Sequence, residues 1–335
     1  MRKATRLLFP ILSIVVIVAS ILIAASIGVV KIPFPNIIKI ILGQLGLADA
    51  SVLAHTEVVT IWELRLPRIL MSLTAGAALA ICGAVFQSIF RNPICDPYIL
   101  GISSGASLGA ATAFILGWDA FLFGITLPAL VTALLTLLVI MGIARLSRQK
   151  TTHTLLLTGI AINFLISAVI TLLMVVNQKE MHKIIFWTMG SCAGTTWNDI
   201  LFLLPFLIVI AIVLLYYAKD LNIMQLGTDT AQTLGVNVKA VTYITLITSS
   251  LLIAVVVAIC GVIGFIGLII PHAVRLRVGS DNRRVFGYSL LLVALFLLIA
   301  DTLARTIAIP AELPVGSITA IAGAPYFIFL LLKKH

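Results

Sequence analysis

The feature that most constrains this chain is the recurrence of long, almost uncharged apolar runs separated by short polar breaks. The first lies at 7–30. Further segments of about helix length occupy 69–90, 98–118, 121–144, 155–176, 200–218, 240–261, 262–274, 285–304 and 315–332. A bilayer's hydrocarbon core requires roughly 20 consecutive apolar residues per helix, and only helices and closed barrels satisfy their backbone groups there. Ten such segments predict an all-α polytopic membrane protein forming a single transmembrane domain over 1–335. The segment at 262–274 is short and contains Pro271, so it does not have the length to span fully alone.

Composition agrees: 61% of the 335 residues are hydrophobic and 10% are charged, against about a quarter charged in ordinary soluble domains. The opening Arg2, Lys3 and Arg6 followed by a run of spanning length read as an uncleaved first helix, since a secretory signal has a shorter apolar core. The net charge of +10 would suit a nucleic-acid partner, but its placement gives a simpler account. Threading ten spans puts Arg2, Lys3, Arg6, Arg91, Arg145, Arg148, Lys150, Lys219, Lys239, Arg275, Arg277, Arg283, Arg284, Lys333 and Lys334 on one side. Lys31, Lys39, Arg65, Arg68, Lys179, Lys183 and Arg305 fall on the other. The bias is about two to one, as the positive-inside rule expects. Both termini are therefore expected in the cytoplasm, and no nucleic-acid partner is needed.

Several mechanisms are disfavoured by what is missing. No Gly-x-x-x-x-Gly-Lys-Ser/Thr loop occurs, so the chain does not bind ATP by that device. Few carboxylates lie at membrane depth, which disfavours an ion-coupled secondary transporter. An integral membrane enzyme would need catalytic polar groups converging at one depth, and none converge. Cys82, Cys95, Cys192 and Cys260 have no metal-ligand spacing and read as buried thiols. His272, following Pro271, has no second ligand nearby and reads as a helix-end residue.

Small residues are dense in Thr74–Ala78, Gly101–Gly109 and Gly261–Gly267. They let helices approach closely in lipid, or line a passage. Ala80-Ile-Cys-Gly83 recurs as Ala258-Ile-Cys-Gly261, a faint sign of inverted repeats. Asn163 falls inside the fifth segment, where a buried amide needs partners. Arg65, Arg68 and Arg305 sit at outer helix ends. They either snorkel, pair with Glu63, Asp301 or Glu312, or meet carboxylates of another protein. The polar stretch 220–239 predicts a short helix over 228–234, capped by Thr228 and stopped by Gly235; spacing alone makes it a connector.

Eight ordered motifs resemble the FecCD-type permeases of ABC transporters, which import iron chelates, haem and cobalamin. They are Leu64-Arg-Leu-Pro-Arg-Ile69, Gly76-Ala-Ala-Leu-Ala80, Arg91-Asn-Pro-Ile-Cys-Asp-Pro97 and Leu100-Gly-Ile-Ser-Ser-Gly-Ala106. The others are Leu226-Gly227 through Leu234-Gly235, Gly264 to Arg275, Ala300 to Arg305, and Glu312 to Pro325. The resemblance implies a type II ABC importer permease fold in the cytoplasmic (inner) membrane. It implies a homodimer or close heterodimer, two cytosolic ATPase subunits that bind the ATP and magnesium, and an extracytoplasmic substrate-binding protein. No cofactor is expected in this chain.

By the same resemblance, 220–239 becomes the ATPase-coupling loop, through Leu226, Gly227, Thr228, Ala231, Leu234 and Gly235. Arg65, Arg68 and Arg305 match positions that pair with the binding protein. Thr152, His153 and Asn92 fall at the cytoplasmic gate, where His153 is bulkier than the usual small polar residue. Asn163, Gly159, Gly316 and Thr319 are expected to line the pathway. A few relatives of this type carry oxyanions such as molybdate, so the cargo stays open.

Overall fold

The computed structural model describes residues 3–47, 54–147 and 152–332; the side chains of 3–11, 152–153 and 330–331 lie outside that description. Of the charges used above, Arg2, Lys3, Arg6, Arg148, Lys150, Lys333 and Lys334 therefore fall outside the described side chains.

Helices occupy all ten expected segments: α1 (Lys3–Ser26), α2 (Leu66–Phe90), α3 (Ile102–Ile115), α4 (Thr126–Leu146) and α5 (Thr152–Val176). The second half holds α6 (Trp197–Tyr216), α7 (Val238–Cys260), α8 (Ile266–Val278), α9 (Asn282–Ala304) and α10 (Val315–Leu332). On length and composition, α4, α5, α6, α7, α9 and the helix running through α2 can each cross a bilayer. At 13 residues, α8 spans only about 20 Å at 1.5 Å per residue, so it does not cross alone. The stretch before it, Gly261–Gly264, is non-helical.

Broken backbone at this depth requires substitute partners, and they are supplied. The Tyr98 hydroxyl donates to the Ile263 carbonyl at 3.1 Å, the Thr319 hydroxyl to that of Gly264 at 3.1 Å, and the Ser191 N–H to that of Cys260 at 2.7 Å.

The helix at the centre is α2. Of its apolar window, 89% is buried inside the chain, against 17% for α5, so α5 is a peripheral wall. Small residues explain the centre. A Cβ at Gly76 would sit 2.9 Å from the α9 backbone at Ala294, and one at Gly83 would overlap the Gly267 carbonyl of α8. Without a hydrophobic drive between helices in lipid, this backbone-to-backbone closeness is the packing energy. In Gly101–Gly109 the two readings divide by face. Gly105 and Gly109 seat against Thr136, Thr132 and Pro128 of α4, while Ser103, Ser104 and Ser107 line a groove on the α5 side.

The tetrapeptide echo has no common structural role. Gly83 is a mid-helix crossing point; Gly261 ends α7 at φ 68°. All four cysteines are free and buried, as expected.

Shorter elements gather at the two ends of the bundle. At one end lie the helices Ala218–Met224 and Thr228–Thr233. At the other lie an amphipathic helix, Phe34–Gln44, and the lead-in to α2, His55–Val58 followed by the π-helical Val59–Arg65.

Candidate functional site

Between α3 and α5 opens a groove of about 570 Å³. Ser103 and Ser107 line it from α3; Asn163, Ser167 and Thr171 line it from α5. Residues four apart share a helix face, so each helix turns a polar stripe toward the other. The Ser104 hydroxyl donates to Asn163 Oδ1 at 2.6 Å, tying the stripes together. Ser107 and Thr171 donate to the carbonyls of Ser103 and Thr171's own upstream residue Ser167, each at 2.9 Å. Those donors are spent within the helices, while the hydroxyl oxygens remain able to accept. No lysine or arginine is among the lining residues.

The 91–101 connection closes one end of the groove. Arg91 takes a left-handed conformation (φ 48°) that ends α2. Asn92 Oδ1 accepts from the Ile94 N–H at 3.0 Å, so its side chain shapes this turn. Asp96 Oδ1 accepts from the Tyr98 N–H at 2.7 Å and caps the 3-10 turn Pro97–Leu100. Asp96 also lines the groove, and burial pushes its carboxyl up to about 6 against the opposing hydrogen bond. Its importance was missed at the level of sequence, as was the hydroxyl stripe; the 163/167/171 spacing was the available signal. The side chains of Thr152 and His153 lie outside the described residues.

Of the expected pathway residues, only Asn163 is a lining residue of this groove. Gly159 sits behind it, where a Cβ would overlap the Ile99 carbonyl. Gly316 packs on the Met189 carbonyl. Thr319 lines a second, mostly apolar cavity of about 400 Å³ among α8, α9 and α10, with Phe265, Phe296 and Tyr326.

The 220–239 stretch holds the expected short helix, with a different cap. Gly227 (φ 129°) precedes Thr228–Thr233 and its carbonyl accepts from the Ala231 N–H at 3.0 Å; Thr228 makes no capping bond. Its hydroxyl instead accepts from the Arg91 guanidinium. Only glycine adopts φ 129° without steric cost, which is why the helix starts there. Gly235 (φ 84°) stops it. Ala231 is fully buried, whereas Leu226 and Leu234 are 69% and 61% exposed. Two large apolar side chains therefore stand out of an otherwise polar segment.

At the opposite end, Arg65, Arg68 and Arg305 converge but face inward, each under a tenth exposed. Arg68 Nε donates to Asp301 at 2.9 Å and Arg68 Nη1 to Glu312 at 2.8 Å. Arg65 donates to the Ala25 carbonyl at 2.6 Å and to that of Val30; Arg305 donates to that of Ala24. Arg65 and Arg305 thus meet the last carbonyls of α1, the charge complement a helix C-terminus favours, while Arg68 meets the carboxylate pair. Asp301 and Glu312 are the internal partners the spacing suggested. Glu63 has no ion pair among the described residues.

Among the described residues, no group of three His, Cys, Asp or Glu is placed to hold a metal. A polytopic helical domain with a hydroxyl-lined groove along one wall and two exposed leucines at one end has the features of a membrane transport protein.

Comparison with known proteins makes this specific. The family model described as the FecCD transport family matches residues 15–333, and the chain belongs to that family. It is 42% identical to the cobalamin import system permease protein BtuC of Halobacterium salinarum, over 84% of this chain and 75% of that one. It is 38% identical to the hemin transport system permease protein HmuU of Yersinia pestis, over 82% and 84%. A solved chain described as an inward-facing metal-chelate type ABC transporter superposes with a TM-score of 0.84 at 31% identity, covering 98% of this chain and 99% of the other. The protein is an integral membrane permease of an ABC importer.

Proposed function

We propose that this permease carries a bulky metal chelate, a ferric siderophore, haem or cobalamin, across the cytoplasmic membrane, along a pathway that includes the α3–α5 groove. The groove's lining carries the reading. A large cargo must enter and leave, and a passage that binds tightly would trap it. Hydroxyls, one amide and the single carboxylate of Asp96, set among apolar side chains, can hydrate or brush a chelate's periphery without fixing it.

The full transporter is read as two copies of this chain facing each other across the pathway, with two ATPase subunits on the cytosolic face and a binding protein outside. Both termini are then cytoplasmic. ATP, magnesium and hydrolysis belong to the ATPase subunits. The 226–235 segment is the coupling element, presenting Leu226 and Leu234 to the ATPase. Asn92, Thr152 and His153 stand at the cytoplasmic mouth. The binding protein docks over the Arg65–Arg68–Arg305 end. Because those guanidiniums are engaged internally, docking by direct ion pairing requires them to exchange partners; otherwise they hold the docking surface in shape.

The test is uptake by the reconstituted complex of permease, ATPase and binding protein in proteoliposomes, with labelled cobalamin, haem and a ferric siderophore supplied separately. ATP-dependent uptake of one of them is expected. Uptake by the permease alone down an ion gradient would overturn the mechanism; selective uptake of molybdate would overturn the cargo.

A further inference from the structure

A hydrogen-bonded hub lies where the coupling segment meets the bundle. Arg275 of α8 is its centre. Its guanidinium donates to Ser88 of α2 at 3.1 Å, to Asn282 Oδ1 at the start of α9 at 3.0 Å, to the Ser280 carbonyl at 3.2 Å, and to Gln225 Oε1 at 3.4 Å. Ser88 also donates to Asn282 Oδ1 at 2.8 Å, closing a triangle among α2, α8 and α9. Asn222 extends the network into the coupling segment. Its Oδ1 accepts from the Asn282 N–H at 2.8 Å, and its Nδ2 donates to Asp281 at 2.9 Å. Asn282 is fully buried.

Arg275 has no carboxylate partner among the described residues. Every acceptor of the Arg275 guanidinium is neutral, so it is held by geometry, not by charge cancellation. A planar fork of five donors suits that task, and an ammonium does not. The Asn282 Nδ2 is left without a partner, but its Oδ1 and backbone N–H are each bonded to a different element, and such buried multi-element bonding stiffens the helices it joins. The same three helices meet through close backbone contacts at Gly76 and Gly83. All members of the network come from α2, α8, α9 and the 218–225 and 279–282 segments, whereas the groove wall α5 is elsewhere.

We propose that Arg275 is a positioning residue for energy coupling: with Asn222 and Asn282 it fastens the coupling segment to a rigid α2–α8–α9 block. A push on 226–235 then moves that block as one body, and with it the attached 91–101 and 261–264 connections, whose Asp96, Tyr98 and Val262 line the groove opposite α5. Rigid-body displacement of packed helices is an established form of switching. This rests on the reading of 226–235 as the coupling element.

The experiment compares Arg275→Met, Arg275→Lys and Asn222→Ala in the full complex, reading ATP hydrolysed per substrate transported alongside ATPase co-purification. Arg275→Met and Asn222→Ala are expected to assemble normally and raise that ratio at least fivefold, with Arg275→Lys recovering less than half of the loss. A smaller rise in an assembled complex overturns the proposal, as does full rescue by Arg275→Lys. If Arg275→Met does not assemble, Asn222→Ala decides by the same criterion. A parallel Leu234→Asp variant tests the underlying reading. If it stays assembled and coupled, the coupling assignment itself has failed; if it sheds the ATPase while the Arg275 and Asn222 variants keep the parent ratio, only the present proposal has failed.

Discussion

Gly83 of α2 lies directly against the Gly267 carbonyl of α8, so close that any β-carbon at 83 would overlap it. The contact joins the most enclosed helix to one too short to span by itself. Gly83→Ala is therefore expected to force the helices apart and lower stability by about 1–3 kcal/mol, the usual cost of overpacking. Thermal unfolding of the detergent-solubilised protein measures it. An unchanged midpoint would mean that α8 can slide without loss, contrary to the packing described. Gly142, which has open space where its Cβ would be, is the control and should tolerate alanine.

Arg68 bridges two carboxylates of unequal burial: the Asp301 side chain is fully buried and that of Glu312 is 48% exposed. Removing one member of a buried pair leaves an uncompensated charge and costs about 3–5 kcal/mol, whereas an exposed partner contributes about 0.2–1 kcal/mol. Asp301→Ala should thus lower the unfolding midpoint far more than Glu312→Ala. Equal effects would show that Arg68 is held chiefly from the exposed side.

How much of this was legible from sequence follows from what lipid demands. The ten segments could be read because a spanning helix must be apolar along its whole length, and no folded context changes that requirement. The helix Phe34–Gln44 was not anticipated; it lies in a loop, and its Ile37 and Ile40 are buried, a spacing too short to stand out. The direction in which arginines point is a matter of tertiary contacts, so for Arg65, Arg68 and Arg305 internal pairing stood beside snorkelling and docking until the packing turned them inward. Thr228 has the chemistry of a cap, yet Arg91 occupies its hydroxyl and Gly227 supplies the backbone turn. Gly159 and Thr319 belong to helices expected to line the pathway; only the packing showed that one backs the groove and the other mends a broken helix.

Asp96 gives a pH dependence with a definite sign. Its carboxyl is pushed up to about 6 by burial, so the folded chain binds that proton more tightly than the unfolded chain does. Its contribution to stability therefore falls as pH rises from about 4 to about 6 and stays low above. Asp96→Asn keeps an acceptor for the Tyr98 N–H while removing the charge. It should raise stability at pH 7.5 by about 1–2 kcal/mol once water in the groove is allowed for, and by about a third as much at pH 4.5. A stabilisation that is equal at both values would place the effect elsewhere than in this ionisation.

Leu226 and Leu234 flank a helix whose only fully buried residue is Ala231. Because both leucines are mostly exposed, Leu226→Asp and Leu234→Asp should change the isolated permease's stability by no more than about 0.5 kcal/mol. Their burial against an ATPase would each contribute about 1.5–3 kcal/mol, which at 1.4 kcal/mol per decade is on the order of tenfold to hundredfold in affinity. A charge placed there also meets an apolar surface without a partner, which adds to the loss. Co-purification of the ATPase with each variant should therefore drop at least tenfold while the unfolding midpoint of the permease holds. Ala231→Trp has the opposite character: it must displace the residues beneath the helix, so it should lower both the midpoint and the association. Retained association in the two leucine variants, with the tryptophan variant destabilised, would make this helix a connector that the fold requires and the ATPase does not touch.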